Sequence, residues 1–340
     1  MTRFRVVVHL APETSVQEVS KVFEGLHSLA DRGLLRLEYS TLPSGWSYPR
    51  VIRLSVRDGT RDAEVAIDLA DQPGVFHLPD LDRADVYFKR SFWPEEVNRV
   101  PLPHRAKVTP FGLNNPAIRI TSALRVLRAR RGVGSRRLAS DARRLLALPA
   151  PSAFRCPPEA PAEERVLFQT QLWDPATNGE QVLAINEERI ELVRALRSAF
   201  GPRFAGGVIP TDFAKLHYPQ LLTDLPSSMR AYPRVLRTPL IAIYSRGLHD
   251  SVAFKMSEYL AASRCIVGHA PTATLPAPLN HGHNYLEFRS PDQCVAHCEQ
   301  LLRRPDEAEA MRRANWDYYC ANVEPSAHLL AILERAFKPE

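Results

Sequence analysis

The sequence predicts an α/β protein built from two domains. Short apolar runs rich in β-branched residues alternate along the chain with segments whose apolar residues recur at helical spacing, and this alternation is typical of parallel sheets covered by helices. The chain has 340 residues, which is more than one ordinary hydrophobic core accommodates. Proline crowds residues 151–164, as expected of a linker between two folded parts.

The first half begins with a strand that leads into a helix. A β-branched run at Arg3–Leu10 is followed by an apolar-periodic segment at Val16–Leu29, for which Ser15 is a suitable N-cap. Alternating or apolar runs separated by turn residues predict further strands at Leu34–Leu42, Val51–Val56, Ala63–Asp71 and Asp85–Phe92.

An arginine-rich segment closes the first half. Residues 119–147 contain nine arginines and a single acid, Asp141, and their apolar residues keep a helical period. We expect a solvated helix face, and no nucleic-acid partner, because no aromatic residues interleave the arginines. Weak contact of the Arg119–Arg144 segment with an anionic membrane surface is the alternative interpretation.

The second half restarts with a strand at Arg165–Pro175 and a long helix at Asn186–Phe200. Its central stretch, Ser245–Gly268, combines a polar loop, a short helix and an apolar strand. These three parts are predicted at Arg246–Ser251, about Ala253–Ala262 and Cys265–Gly268. An apolar strand also precedes the loop, so the stretch is a βαβ fragment.

The loop Arg246–Ser251 has the features of a phosphate-binding loop. In open α/β sheets, ligands bind beyond the carboxyl ends of the strands, where backbone N–H groups and the positive end of the next helix meet an anion. Asp250 in the loop and Glu258 in the helix are separated by seven residues, and Lys255 lies between them. We therefore expect an anionic ligand at this loop.

The order of these motifs resembles a bacterial group of GT-B glycosyltransferases. Asp250-x7-Glu258 is similar to the E-x7-E pattern of the retaining members of that superfamily. The other similar phrases are Gly247–Ser251, Phe254–Ala262, Gly282–Phe288, Ser290–Cys294 and Met311–Tyr319. The resemblance covers roughly the second half of the chain and is weaker in the first half.

The resemblance implies a GT-B fold: two Rossmann-like domains that face each other across a cleft, with a last helix that crosses back to the N-terminal domain. The expected parts are an acceptor-side domain, the linker, a nucleotide-sugar-binding domain and the last helix. Their expected bounds are 1–150, 151–164, 165–325 and 326–340.

The resemblance also implies roles for individual residues. Glu258 would accept hydrogen bonds from the two ribose hydroxyls, the amides of His249–Ser251 would hold the diphosphate, and Lys255 would add positive charge. The complete set of donor-site candidates is Glu258, Lys255, Gly247, His249, Ser251, Arg246 and Gln171.

One departure from the family pattern concerns the diphosphate. Similar glycosyltransferases usually carry an Arg after the first strand of the C-terminal domain and a Lys five residues later, whereas this chain has Gln171 and Ala176. The leaving group still needs its negative charge offset. Other cations must then do this, or the donor is unusual, or the site is inactive. The available cations are Lys89, Arg90, Lys255 and Arg246.

The catalytic candidates are Asp250, Lys89, Arg90 and Asp71. Lys89 and Arg90 end a predicted strand and are expected in the cleft, although cations at strand ends can also face solvent. Asp71 is a candidate base on the acceptor side or a turn former before a Pro-Gly pair. Asp250 has a catalytic role or caps its own loop.

No metal or cofactor is expected besides the nucleotide-sugar donor. The chain has no G-x-G-x-x-G or P-loop spacing, which argues against a dehydrogenase or a kinase. A zinc site is the less favoured interpretation of five Cys and His residues in the second half, because their spacing fits no closed tetrahedral site. These residues are Cys294, His297, Cys298, His281 and His283.

We expect a cytoplasmic protein, with peripheral attachment to a membrane as the alternative. The five cysteines are scattered in a way that fits reduced thiols, and neither an apolar export signal nor an 18-residue apolar run is present.

The expected function is transfer of a sugar from a nucleotide-diphosphate donor to a hydroxyl or amine of a small molecule or glycan, with retention at the anomeric carbon. A nucleotide-sugar epimerase or hydrolase of the same fold is the second hypothesis, for which the missing diphosphate cations are the reason. A non-catalytic binding protein that docks through its basic helix is the third.

Overall fold

The computed structural model describes residues 3–45 and 48–338. Within these ranges the strands are β1 Phe4–Leu10, β2 Leu35–Thr41, β3 Val51–Asp58, β4 Arg61–Asp68, β5 Val86–Lys89, β6 Val108–Pro110, β7 Glu163–Thr170, β8 Phe204–Val208, β9 Pro239–Tyr244, β10 Cys265–Gly268 and β11 Tyr285–Glu287.

The helices vary from single turns to five turns. They are α1 Ser20–Asp31, α2 Leu78–Arg83, α3 Pro94–Val97, α4 His104–Lys107, α5 Ile120–Ala129, α6 Ser135–Leu146, α7 Pro151–Phe154, α8 Pro175–Asn178, α9 Leu183–Phe200, α10 Asp212–His217, α11 Tyr232–Val235, α12 Phe254–Ala261, α13 Pro291–Arg303, α14 Pro305–Tyr318 and α15 Pro325–Arg335.

The chain divides into two compact units. Unit 1 comprises the described parts of Met1–Ser152, Thr272–Pro278 and Cys320–Glu340, and unit 2 comprises Ala153–Pro271 and Leu279–Tyr319. Each unit has its own sheet and its own hydrophobic core.

Unit 1 has a six-stranded sheet of mixed direction, in the order β2-β1-β3-β4-β5-β6. β1 and β2 are parallel, and so are β4, β5 and β6, but β3 runs antiparallel to both of its neighbours. The expectation of parallel strands is therefore wrong at β3. Only Gly59 and Thr60 separate β3 from β4, and a connection that short can join only antiparallel strands.

The core of unit 1 is formed by the sheet, α1 and α15. Phe4, Val6, Val8 and Leu10 alternate along β1 and are buried. The helix α1 begins at Ser20, not at the predicted Val16, and no side chain caps it, so the predicted Ser15 N-cap is wrong. The residues between Ser15 and Ser20 form turns that carry Val16 and Val19 into the core.

The helix α15 packs directly on α1. Its first turn is capped by Glu324, whose carboxylate accepts hydrogen bonds from the backbone N–H groups of Ser326 and Ala327 at 2.9 Å. Gly25 of α1 lies against this end, since a Cβ atom there would overlap the Pro325 carbonyl oxygen and would be 2.7 Å from Leu329 Cγ. The absence of a side chain at Gly25 allows the two helices to approach.

Unit 2 has a five-stranded sheet in the order β11-β10-β9-β7-β8, and every pair of neighbours is parallel. The residues Ile241–Tyr244 of β9 are all at most 1% exposed, so both faces of the sheet are covered. The predicted parallel sheet of the second half is confirmed. The predicted fold class, an α/β chain with two Rossmann-like sheets, is confirmed as well.

The central βαβ fragment has nearly the predicted bounds. The helix α12 covers Phe254–Ala261 and β10 covers Cys265–Gly268. The helix α13 is capped by Ser290, whose Oγ accepts a hydrogen bond of 3.2 Å from the Gln293 N–H.

Substitution of Gly25 by Ala is expected to destabilise unit 1. The added methyl group would overlap the Pro325 carbonyl and Leu329, and overpacking of this kind costs about 1–3 kcal/mol. The matched control is Gly132→Ala, because a Cβ atom at Gly132 meets nothing within 4 Å. Urea unfolding followed by circular dichroism measures both free energies, and equal values for the two variants would contradict the proposed contact.

Candidate functional site

Polar residues gather at the carboxyl edge of the unit 2 sheet. Gln171 follows β7, the loop Arg246–Ser251 follows β9, and His269 follows β10. These three strands are adjacent and parallel, so the segments that leave them meet at one edge. This edge is where a parallel α/β sheet binds its ligand.

Arg189 of α9 connects two of these segments. Its Nη1 donates to the Gln171 carbonyl oxygen and its Nη2 donates to the Arg246 carbonyl oxygen, both at 2.6 Å. The residue is 5% exposed, and burial lowers the pKa of its guanidinium to about 10, so it stays charged at neutral pH. One buried cation therefore determines where the loops after β7 and β9 begin.

The loop after β9 has an unusual backbone. His249 has φ 55° and ψ 32°, and Asp250 has φ 54°, so two successive residues that are not glycine lie in the left-handed region. Such a conformation is costly and persists where surrounding contacts enforce it, most often at functional sites. Within this loop, Arg246 and Asp250 form an ion pair of 3.1 Å.

Gly247 and Ser251 close the loop from its two ends. The Gly247 N–H donates to the Ser251 carbonyl oxygen at 2.9 Å, and the Ser251 N–H donates to the Leu248 carbonyl oxygen at 3.1 Å. A Cβ atom at Gly247 would lie 2.7 Å from Ser251 Oγ, which explains the glycine. The Ser251 amide is thus already used inside the loop, and it does not point to a ligand as the sequence predicted. His249 and Asp250 are exposed.

The helix α12 presents Lys255 and Glu258, both half-buried. Lys255 Nζ is 2.6 Å from the Tyr232 hydroxyl. Burial lowers the pKa of Lys255 to about 8, against the opposing effect of Glu258, and burial also raises the pKa of Glu258. The helix α12 begins at Phe254, and its N-cap residue Ala253 makes no side-chain capping hydrogen bond.

Arg246 and His269 share one carboxylate of α9. Glu188 lies 3.4 Å from Arg246 Nη2 and 3.6 Å from His269 Nε2. Burial lowers the pKa of His269, although Glu188 acts in the opposite direction. Glu188 Oε1 and His269 Nδ1 are buried and lack a hydrogen-bond partner among the described residues. Polar atoms of this kind are candidates for contact with a bound molecule.

Four residues of this edge were missed by reasoning from sequence: Glu188, Arg189, Tyr232 and His269. For Arg189 the sequence does hold a signal. This charged residue has helical spacing with Val193 and Leu196, so it lies on the apolar face of the predicted helix. For Tyr232 and His269 it holds none, since their positions depend on how distant segments pack.

In unit 1 the candidate Lys89 is completely buried. Its Nζ is 2.8 Å from Asp68 Oδ2 and donates to the Val75 carbonyl oxygen at 2.7 Å, and the Tyr87 hydroxyl donates to the same Asp68 oxygen at 2.7 Å. The side chain is 0% exposed. Lys89 therefore has no surface with which to contact a ligand, and the cleft-facing position predicted for it is wrong, because Asp68 on the neighbouring strand binds its charge.

Arg90 and Asp71 belong to a chain of ion pairs. Arg90 pairs with Asp71, whose other oxygen is 3.2 Å from Arg50, and Arg50 is 2.7 Å from Glu18. Arg90 is buried, whereas the side chain of Asp71 is 29% exposed. A carboxylate held between two guanidinium groups is well positioned, but a proton acceptor needs freer lone pairs.

The Cys and His residues considered for zinc have other surroundings. Cys294 and Cys298 are in the core of unit 2, His297 Nε2 is 3.0 Å from the Glu287 carbonyl oxygen, and His281 Nδ1 accepts the Glu287 N–H at 3.0 Å. Within residues 3–45 and 48–338, no group of three or more His, Cys, Asp or Glu side chains is arranged to hold a metal ion.

The described parts of the chain contain no helix with the length and apolar character needed to cross a bilayer.

Residues 189–331 match a protein family described as glycosyl transferase-like. The matched segment begins at Arg189 and contains the loop Arg246–Ser251 together with α12. The resemblance to glycosyltransferases is therefore confirmed for this part of the chain. No curated protein matches the chain.

Three similar solved structures illustrate the range of likeness. Alr3699/HepE of Anabaena in complex with UDP is 9% identical, with 98% of this chain and 99% of that chain covered and a TM-score of 0.41. A glycosyltransferase from Rickettsia africae is 12% identical, with 75% and 64% covered and a TM-score of 0.41. UDP-GlcNAc 2-epimerase from Neisseria meningitidis bound to UDP-GlcNAc is 12% identical, with 77% and 64% covered and a TM-score of 0.40.

Substitution of Arg189 by Met is expected to destabilise unit 2 by about 3 kcal/mol, because two buried carbonyl oxygens lose a charged donor. The matched control is Arg194→Met, which removes an exposed arginine from the same helix. Urea unfolding checks both values. If Arg189→Met unfolds at the same urea concentration as Arg194→Met, the connection between the two loops contributes nothing to stability.

Proposed function

We propose that this chain is a glycosyltransferase that takes its sugar from a nucleotide-diphosphate donor bound at the carboxyl edge of the unit 2 sheet. The observation that carries the proposal is the glycosyl transferase-like match over residues 189–331, which includes the strained loop and α12. A fold alone does not define an activity, so the roles below rest on the chemistry of named side chains.

The donor site is proposed to offset the charge of a diphosphate without a metal ion. In this proposal three positive groups contact the diphosphate: the start of α12, the Lys255 ammonium and the Arg246 guanidinium, which also pairs with Glu188 and Asp250. The amides of His249 and Asp250 complete the phosphate contacts in this proposal. A preorganised positive environment of this type stabilises the leaving nucleoside diphosphate as the bond to the sugar breaks.

Glu258 is proposed to bind the ribose. A carboxylate can accept hydrogen bonds from two neighbouring hydroxyls at once. The half-buried position of Glu258 supports this role, because a solvent-facing glutamate would show no desolvation, whereas burial raises the pKa of this carboxyl. A ribose diol would then replace the water that the carboxylate has lost.

The acceptor is proposed to be a hydroxyl or an amine, and the transfer to retain the anomeric configuration, as the Asp250-x7-Glu258 spacing suggests. Asp250 is exposed at the loop, where the transferred sugar would lie. Arg90 and Asp71 are kept as acceptor-side candidates, of which Asp71 has the larger exposed surface.

An epimerase or hydrolase is the alternative that a specific observation favours. Gln171 and Ala176 occupy the positions of the usual cations, and Arg189, although close to Gln171, uses both of its terminal nitrogens on main-chain oxygens. A transferase releases nucleoside diphosphate only when an acceptor is present. An epimerase changes the sugar without any release, and a hydrolase releases the nucleotide into water, so a release assay with and without acceptors separates the three.

A weak contact with an anionic membrane is part of the proposal. Ile120 and Leu124 are 62% and 55% exposed on one side of α5, next to the exposed Arg125 and Arg128. Exposed apolar residues among arginines favour an interfacial position.

The donor proposal predicts the outcome of a thermal-shift panel with UDP, GDP, ADP, dTDP and their sugars. A true ligand at 100-fold excess over its dissociation constant adds about 2.7 kcal/mol of stability. Glu258→Ala is expected to lower the affinity for the nucleotide that most stabilises the wild type by about tenfold or more, since a charged hydrogen-bond acceptor is lost. Glu299→Ala, an exposed glutamate of α13, is the control and should respond like the wild type. An unchanged response of Glu258→Ala would refute the ribose assignment.

The pKa of Lys255 predicts how nucleotide affinity depends on pH. This pKa is lowered to about 8 in the free protein, so the ammonium loses its proton as the pH rises past this value. The affinity for a nucleoside diphosphate should therefore be constant near pH 7 and decrease above pH 8, by at most about tenfold per pH unit. Calorimetric titrations with a nucleoside diphosphate between pH 7 and 9 measure this change in affinity.

Lys255→Arg is the matched control, because a guanidinium keeps its charge throughout this range. Its affinity should not vary with pH. A wild type without the decrease, or an arginine variant that still shows it, would mean that Lys255 does not contact the diphosphate.

A further inference from the structure

A groove of about 590 Å³ opens on unit 1 between α1, β2 and α5. Its lining residues, which define the α1–β2–α5 groove, are His27, Ala30, Asp31, Leu37, Tyr39, Arg125, Arg128 and Ala129. β2 is the edge strand of the sheet, so the groove lies at this edge and is separate from the strand ends that carry Asp68 and Lys89. Its volume is in the range of small-molecule sites.

His27 is a buried polar residue with an unused ring nitrogen. The residue is 2% exposed, its Nε2 is 2.9 Å from the Tyr39 hydroxyl, and its Nδ1 has no hydrogen-bond partner among the described residues. Burial, reinforced by Arg125, lowers the pKa of His27 to about 4, and burial raises the pKa of Tyr39 above its ordinary range. At neutral pH the histidine is thus uncharged and the tyrosine holds its proton.

These protonation states determine what His27 can offer. When the Tyr39 hydroxyl donates to Nε2, the proton of the neutral imidazole is on Nδ1, which is then a donor without an acceptor. A buried donor without an acceptor is uncommon in native proteins and calls for an explanation. An oxygen atom of a bound molecule next to His27 would provide one.

The charges of the groove are unequal. Arg125 Nη1 is 2.6 Å from Asp31 Oδ1, and the other oxygen of Asp31 is 3.1 Å from Arg119. Arg128, one turn after Arg125 on the same face of α5, has neither an ion pair nor a hydrogen bond to any residue of the described ranges, and it is exposed. Asp31, the single acid of the groove, is therefore already paired with arginines. The Arg128 guanidinium remains available to bind an anion.

The rest of the lining is apolar. Ala30, Leu37 and Ala129 form the surface next to the charged residues. A ligand that suits both parts has an anionic head and a small apolar body. The Arg128 guanidinium offers several N–H donors to the oxygens of a phosphate, which a single point charge does not.

We propose that the α1–β2–α5 groove binds a phosphate monoester carried on a small apolar group, with the phosphate at Arg128 and His27 and the apolar group against Ala30, Leu37 and Ala129. A soluble ester and a lipid headgroup share this chemistry. The proposal does not depend on the donor site, since every residue of the groove is in unit 1 and the donor loop is in unit 2.

Calorimetric titration with hexyl phosphate, inorganic phosphate and 1-hexanol tests the two parts of the ligand. Hexyl phosphate is expected to bind at least about tenfold more tightly than either of the other probes, because only it contacts both surfaces. In the same samples, the ¹⁵N signal of His27 Nδ1 should shift when hexyl phosphate is added. A purely structural histidine would show no shift.

Two variant pairs locate the binding. Arg128→Gln should lower the affinity for hexyl phosphate by about tenfold. Arg143→Gln, which removes an exposed arginine from α6, should leave this affinity unchanged. Ala129→Leu should fill the groove and abolish binding, whereas Ala147→Leu at an exposed position should not. Glu258→Ala should bind hexyl phosphate like the wild type, so failure of the donor proposal leaves this one intact.

Vesicles of phosphatidylcholine with and without phosphatidic acid identify the source of the ester. Cosedimentation that needs phosphatidic acid and is lost in Ala129→Leu supports a lipid headgroup, and binding of hexyl phosphate alone supports a soluble ester. Equal binding of hexyl phosphate to the wild type, Arg128→Gln and Ala129→Leu would overturn the site. Equal affinities for hexyl phosphate and inorganic phosphate would overturn its apolar part.

Discussion

A single buried guanidinium connects two of the segments at the carboxyl edge of the unit 2 sheet. Arg189 donates to the main chain of Gln171 and of Arg246, and these residues begin the segments that leave β7 and β9. The loop position in turn sets the ion pair between Arg246 and Asp250 and the left-handed backbone at His249. Because Arg189 is on α9, the packing of this helix on the sheet and the geometry of the loop are linked. A change in either one would displace the other.

The two units treat buried charge differently. In unit 1, Lys89 and Asp68 neutralise each other inside the protein, with Tyr87 as a third partner. In unit 2, burial draws Lys255 and Glu258 toward their neutral forms, and the protein offers each only partial compensation. Charges that are desolvated without a complete partner are poised to bind a ligand, whereas complete pairs maintain the fold. The His27 ring nitrogen is an uncharged example of the same imbalance.

The parallel sheet of unit 2 and its βαβ fragment could be predicted because their signals are local. Apolar strands of four to six residues, a polar loop and a helical period occur in sequence order, so the predicted α12 differs from the observed one by one residue at each end. The antiparallel β3 was missed, since alternation shows that a segment is a strand but not the direction in which it pairs. Ser15 has the residue type of a helix cap without being one, because turns that precede a helix carry the same residue types as the cap itself.

By itself, the sequence determined the central βαβ fragment of unit 2, where the polar loop lies, and that Glu258 and Lys255 share a helix with a fixed separation. Only the tertiary structure decided that Lys89 is neutralised by Asp68, that Arg189 reaches two loops, and that His27 lines a groove with Arg125 and Arg128. The physical reason is the sequence separation over which each interaction acts. Helical period and turn chemistry depend on residues only a few positions apart. Ion pairs and grooves join residues that are distant along the chain, and their partners become known only when the strands have an order.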